Sequence, residues 1–190
     1  MHPILSAYGK ELASAAAEIT GNCSADEIRI SYSPKPAEWQ MMLTLPYSCA
    51  GDGFAMPKDT LPYDGCGFEF TPPVSLKVCF GADAWIKLAR AAAELPRTEM
   101  PHLMPDNPLF FAQAAYMHLD RRTTGRMYSV RTPDGDDKAI LYELLTRPGA
   151  NIAKRLTRKY SGELCIGETP GLFAIACIRL YGEYIRGLIG

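Results

Sequence analysis

The chain has 190 residues, 47% hydrophobic and 22% charged, with a net charge of −1, a composition that excludes disorder and collagen-like or low-complexity repeats. Its longest apolar run, residues 172–178, falls far short of the ~20 residues that span a bilayer, and Lys10, Glu11 and Glu18 interrupt the stretch where a secretion signal would need continuous apolar residues. We therefore expect no membrane span, a cytoplasmic address and six reduced cysteines, since none stands in a Cys-x-x-Cys pair and a core of this size needs no staples.

Ile4, Tyr8, Leu12, Ala15 and Ile19 recur at helical spacing, so residues 4–20 read as an amphipathic helix closed by Gly21 and Asn22. Residues 28–32 and 39–45 alternate apolar and polar side chains across a proline-containing turn and predict an antiparallel hairpin. Residues 46–73 are rich in Gly, Pro, Asp and aromatics and give no secondary-structure signal. They hold an internal echo, in which Leu45, Pro46, Tyr47 and Cys49 are matched by Leu61, Pro62, Tyr63 and Cys66. A loop of this length inside a compact domain is often functional. Val74, Leu76, Val78 and Phe80 predict a third strand, and Asp83 is placed to cap a helix that Pro96 ends.

Four prolines at 96, 101, 105 and 108 mark residues 97–107 as a stiff connector. Beyond it, Asn107 and Pro108 open a helix through Asp120, a short strand covers residues 127–132, and helices follow at 137–147 and 151–160, the latter with Ile152, Leu156 and Tyr160 inward. A short strand at 163–167 precedes a last helix at 170–188, apolar except for Arg179, Glu183 and Arg186. The expected fold is α+β, with an N-terminal antiparallel three-strand sheet and two helices in residues 1–96. A mostly helical part, 108–190, packs on it through the last helix.

Charge supplies the clearest functional signal. Residues 121–159 carry 10 basic against 4 acidic side chains. Arg121, Arg122, Arg126 and Arg131 precede a helix whose outer face is predicted to hold Lys154, Arg155, Arg158 and Lys159. Lys and Arg contacts to phosphate dominate nucleic-acid affinity, so this face suits nucleic acid, a nucleoprotein complex or an acidic protein surface. Balanced by nearby carboxylates, the same run would be an ordinary solvated face. Residues 138–160 loosely resemble a helix-turn-helix, without its small and apolar positions. The order helix, three strands, helix over residues 4–95 resembles a double-stranded-RNA-binding domain. However, Asp83 and Ala84 stand where that family places lysines and a 28-residue insertion follows the second strand, so the match is one of topology alone.

A second candidate site is the loop at 49–70, where Cys49, Asp52, Asp64 and Cys66 surround a pocket suited to a small hydrolase or transferase. Cys66, flanked by glycines, would be its exposed nucleophile, with His102 or His118 as base. Cys49, Cys66, His102 and His118 are too widely spaced for a preformed zinc site, and Asp134, Asp136 and Asp137 fit a helix cap better than a calcium loop. We expect no metal and no cofactor. The sequence thus favours a non-enzymatic binding or regulatory protein, such as an accessory or inhibitory subunit of a nucleic-acid-processing machine. A homo-oligomer joined through residues 170–188 is a third possibility.

Overall fold

A computed structural model describes residues 1–21, 23–34, 37–49, 63, 65–101, 104–123, 127–164 and 169–189. The fold is α+β, with one antiparallel four-strand sheet rather than three strands. The chain divides into two compact units, Pro3–Trp85 and Ile86–Gly190, the second also holding Met1–His2. Helix α2 crosses the division.

In the first unit, helix α1 (Pro3–Thr20) precedes strands β1 (Arg29–Tyr32), β2 (Met41–Thr44), β3 (Cys66–Thr71) and β4 (Ser75–Phe80), in the order β1-β2-β4-β3. The hairpin expected from the alternating pattern is present, with Arg29 opposite Thr44 and Tyr32 opposite Met41. Register sorts the two faces. Met41, Leu43, Leu76, Val78, Phe80 and Cys66 fall on one buried face, and Lys77 and Glu69 pair on the other. Helix α1 closes on this sheet: a Cβ on Gly9 would lie 3.0 Å from the Tyr32 hydroxyl and 3.2 Å from the Met41 methyl.

Strand β3 is the element missing from the sequence reading. Its partner is β4, from Cys66 opposite Phe80 to Thr71 opposite Ser75. The two echoed segments also differ: Cys49 ends a 3-10 turn, Tyr47–Cys49, whereas Cys66 begins β3.

Helix α2 (Ala82–Ala93) buries Trp85, Leu88, Ala89 and Ala92 as the spacing predicts, but begins at Ala82, so Asp83 lies within its first turn rather than at its cap. The second unit contains α3 (Phe110–Thr123), α4 (Gly135–Thr146), α5 (Ile152–Glu163) and α6 (Leu172–Ile189). Helix α6 packs against α3, α4 and α5 and is buried from Leu172 to Ile178 and again at Leu180, Tyr181, Gly182 and Ile185. The proline-rich segment is held to α3, where the Tyr116 hydroxyl donates to the Thr98 carbonyl at 3.0 Å.

Of the two strands predicted in the second unit, the first is not a strand and the second does not begin at its predicted first residue. Residues 127–132 make a single parallel bridge, Ser129 to Gly171, and Glu163 is the last residue of α5. The remainder of the 163–167 prediction, apart from Leu164, lies outside the described residues. Helix α4 also starts two residues before its predicted first residue, because Asp134 is its cap. Among the described residues, no helix is long and apolar enough to cross a membrane.

Candidate functional site

Three of the ten basic side chains in residues 121–159, Arg131, Arg155 and Lys159, are held by carboxylates. Asp134 caps α4 by accepting from the Asp137 backbone N–H at 2.9 Å, and Asp137 returns the contact to the Asp134 N–H at 3.1 Å. This reciprocal cap aims the fully buried Asp137 carboxylate into the unit. There Arg131 donates to both its oxygens, at 2.7 and 3.3 Å, and to both oxygens of Glu163, at 3.1 and 3.2 Å. The Tyr160 hydroxyl donates to Asp137 Oδ1 at 3.1 Å. Lys159 completes the cluster, pairing with Asp134 and lying 3.4 Å from Glu163 and 3.9 Å from Asp137.

Burial alone would lower the Lys159 pKa, but its hydrogen bond to Asp134 and the nearby Asp137 and Glu163 hold it above the usual lysine value. Burial likewise works against ionised Asp134, yet the Lys159 hydrogen bond and the Asp137 N–H keep its carboxyl below the usual range. Arg131 is raised despite its burial by Asp137 and Glu163. Two cations and three carboxylates here stabilise one another. This is an internal joint rather than a surface open to a polyanion.

Arg155 is also taken. It pairs with Glu143, whose other oxygen accepts from the Gly149 N–H at 2.9 Å, fastening the turn between α4 and α5. Arg122 donates to the Ser161 carbonyl at 3.2 Å. The predicted outer face of α5 therefore needs correction: Lys154 and Arg158 are exposed, whereas Arg155 and Lys159 turn toward carboxylates. Arg126 lies outside the described residues. Arg121 on α3 and Lys154 and Arg158 on α5 are exposed and make no ion pair among the described residues, and the two helices that carry them pack together.

Two depressions flank α3 and share Met117 and Arg121. One, of about 440 Å³, is lined by Arg97, Glu99, Tyr116 and Asp120; the other, of about 460 Å³, by Phe110, Gln113, His118 and Arg122. Asp120 is buried and receives Arg179 on Oδ1 at 3.1 Å and Arg97 on Oδ2. This second buried carboxylate is not legible in the sequence, because its partners lie 23 and 59 residues away.

Of the predicted loop-site residues the structure describes Cys49 and Cys66. Cys66 is fully buried at the start of β3, with its Sγ 3.2 Å from the Tyr8 hydroxyl, so the flanking glycines do not expose it. Cys49 is buried as well, and that burial, with the neighbouring Cys23 thiol, pushes its pKa up and disfavours the thiolate. Asp52, Asp64 and His102 lie outside the described residues; His118 is exposed on α3 in the second unit. Among the described residues, no group of three or more His, Cys, Asp or Glu side chains is placed to hold a metal ion.

Comparison with protein-family models gives no match, and neither curated proteins nor solved structures yield one.

Proposed function

We propose that the chain is a non-enzymatic, cytoplasmic binding or regulatory protein that docks its second unit on a polyanionic partner, either nucleic acid or the acidic face of a nucleoprotein complex. The observation that carries this reading is the division of the basic segment into two populations. Arg131, Arg155 and Lys159 hold the unit together, while Arg121, Lys154 and Arg158 are exposed on two packed helices, and they and the exposed Arg147 make no ion pair among the described residues. Charge is segregated in the same sense: the second unit carries 15 basic against 11 acidic side chains, the first 5 against 10. Long-range attraction of a phosphate surface would fall on the second unit.

Arg121 also stands where the two α3 depressions meet, so apolar contact through Met117 would accompany the charge. The test is a binding titration with fluorescent single- and double-stranded DNA and RNA, comparing the native chain with the triple variant R121E/K154E/R158E. The variant should lose at least tenfold in affinity while keeping the native melting temperature. Equal binding by the two proteins would discard the reading.

A further inference from the structure

Helix α3 carries a feature that its charge does not explain. Its inner face is fixed at three levels: the Tyr116 hydroxyl donates to the Thr98 carbonyl, Gln113 donates to the Pro101 carbonyl, and the Tyr181 hydroxyl of α6 donates to the Ala112 carbonyl at 3.4 Å. On the opposite face Phe111, Ala114, His118 and Arg121 recur at helical spacing, and all four are exposed. Phe111 is 78% exposed, the most exposed aromatic ring among the described residues. Phe110, half-buried, supports it edge-on, with ring centroids 5.7 Å apart and planes at 77°. An edge-to-face neighbour steadies a ring without covering both of its faces, so Phe111 presents a flat apolar face to solvent. The turn that carries the pair is itself held, since Asn107 Oδ1 accepts from the Leu109 N–H at 2.8 Å and the Asn107 carbonyl from the Phe110 N–H at 2.9 Å.

The two ends of this face differ in charge. Arg121 stands near the C-terminal end, where α5, the helix bearing Lys154 and Arg158, packs on α3. The one carboxylate within α3, Asp120, is buried and held by Arg97 and Arg179. At the aromatic end the exposed Asp106 lies four residues before the helix. A phosphate is therefore favoured beside Arg121 and an uncharged planar group beside Phe111. Ten residues separate the two side chains, about 15 Å along the axis at ~1.5 Å per residue. That is the length of about four nucleotides stacked at ~3.4 Å each.

We propose, resting on the polyanion reading above, that the ligand of this face is single-stranded nucleic acid, with a base stacked on Phe111 and the phosphate backbone continuing to Arg121. Every base has a planar face that an aromatic side chain can stack on, whatever the sequence. A duplex keeps those faces inside its own stack, so Phe111 adds affinity for a single strand and none for a duplex. A carboxylate-rich protein surface offers the charge without the planar group.

The experiment titrates labelled single-stranded and duplex oligonucleotides of about twelve nucleotides with the native chain, F111A, F111L, F111W and R121E/K154E/R158E over a series of salt concentrations. Melting curves control for folding, and the exposure of Phe111 means its variants should melt with the native chain. F111A and F111L should each lose about tenfold in affinity for the single strand at every salt concentration, leaving the salt slope and the duplex affinity unchanged. F111W should bind the single strand as the native chain does. The triple variant should instead flatten the slope for both forms. F111L binding the single strand with native affinity, F111A weakening the duplex as much as the single strand, or polyglutamate displacing the single strand as well as an unlabelled oligonucleotide of equal charge would each overturn the inference. If R121E/K154E/R158E loses both forms while F111A binds as the native chain does, stacking on Phe111 fails and the polyanion reading stands; if the native chain binds neither form, both fail.

Discussion

Asp137 shows how far a single side chain commits this protein. A carboxylate with no solvent exposure survives only when its lone pairs are filled, and here Arg131, the Tyr160 hydroxyl and the Asp134 N–H fill them. Removing it leaves Arg131 and Lys159 facing a cavity, with Glu163 and Asp134 as their remaining partners. D137A should therefore lower stability by about 3 kcal/mol, the lower end of the range for broken buried pairs because Arg131 keeps some contact with water; urea denaturation measures it. A loss below ~1 kcal/mol would mean that the cluster is not a structural joint.

The linked titrations give a second test at this scale. The Asp134 carboxyl lies below its unfolded value in the folded chain, so its contribution is present above the unfolded pKa and fades as pH falls through the folded one. Lys159 lies above its unfolded value, so its contribution is full below that value and fades as pH rises through the folded one. Melting curves of the native chain and D134N at pH 7 and pH 3 should show the variant losing less stability on acidification. An equal loss would remove Asp134 from the acid response. In the sequence, Asp134, Gly135, Asp136 and Asp137 were legible as a turn and cap because capping is local. The pairing was not, since Arg131 and Glu163 approach Asp137 from separate segments that only the tertiary fold unites.

At the scale of elements, α6 explains why periodicity read the helices well and their roles less well. Its nearly continuous apolar surface suggested either a core helix or an oligomer interface, and α3, α4 and α5 cover it within the second unit. The contact with α3 is tight at Gly182, where a Cβ would lie 2.6 Å from the Tyr116 ring and 3.0 Å from the Thr98 hydroxyl. G182A should cost about 1–3 kcal/mol through overpacking, a drop in melting temperature that calorimetry reads directly; an unchanged melting temperature would contradict this packing. Strand β3 is hard to read from sequence for a physical reason. Cys66, Phe68 and Phe70 do alternate with Gly67, Glu69 and Thr71, but the turn-forming composition before them obscured the period. The converse holds at residues 127–132, where alternation is present and, among the described residues, one parallel bridge takes the place of a neighbouring strand. Periodicity reports a face, whereas a strand requires a partner.

Across the whole molecule, composition revealed the charge asymmetry and folding decided what it means. The first unit is acidic and the second basic, a division visible in residue counts alone. Which cations remain available was not legible, because Arg131, Arg155 and Lys159 differ from Arg121, Lys154 and Arg158 only in the carboxylates that folding brings beside them. The candidate surface is therefore smaller than the sequence suggested, and its size carries a quantitative consequence. Three phosphate contacts release about three counterions. The measurement that tests this account most directly is the fluorescence anisotropy titration of the native chain with labelled nucleic acid over a series of salt concentrations. The account predicts a plot of log affinity against log salt with a slope of about −2.7 on duplex DNA and about −2 on a single strand, both nearly abolished in R121E/K154E/R158E. Absence of binding at low salt, or binding indifferent to salt, would contradict it.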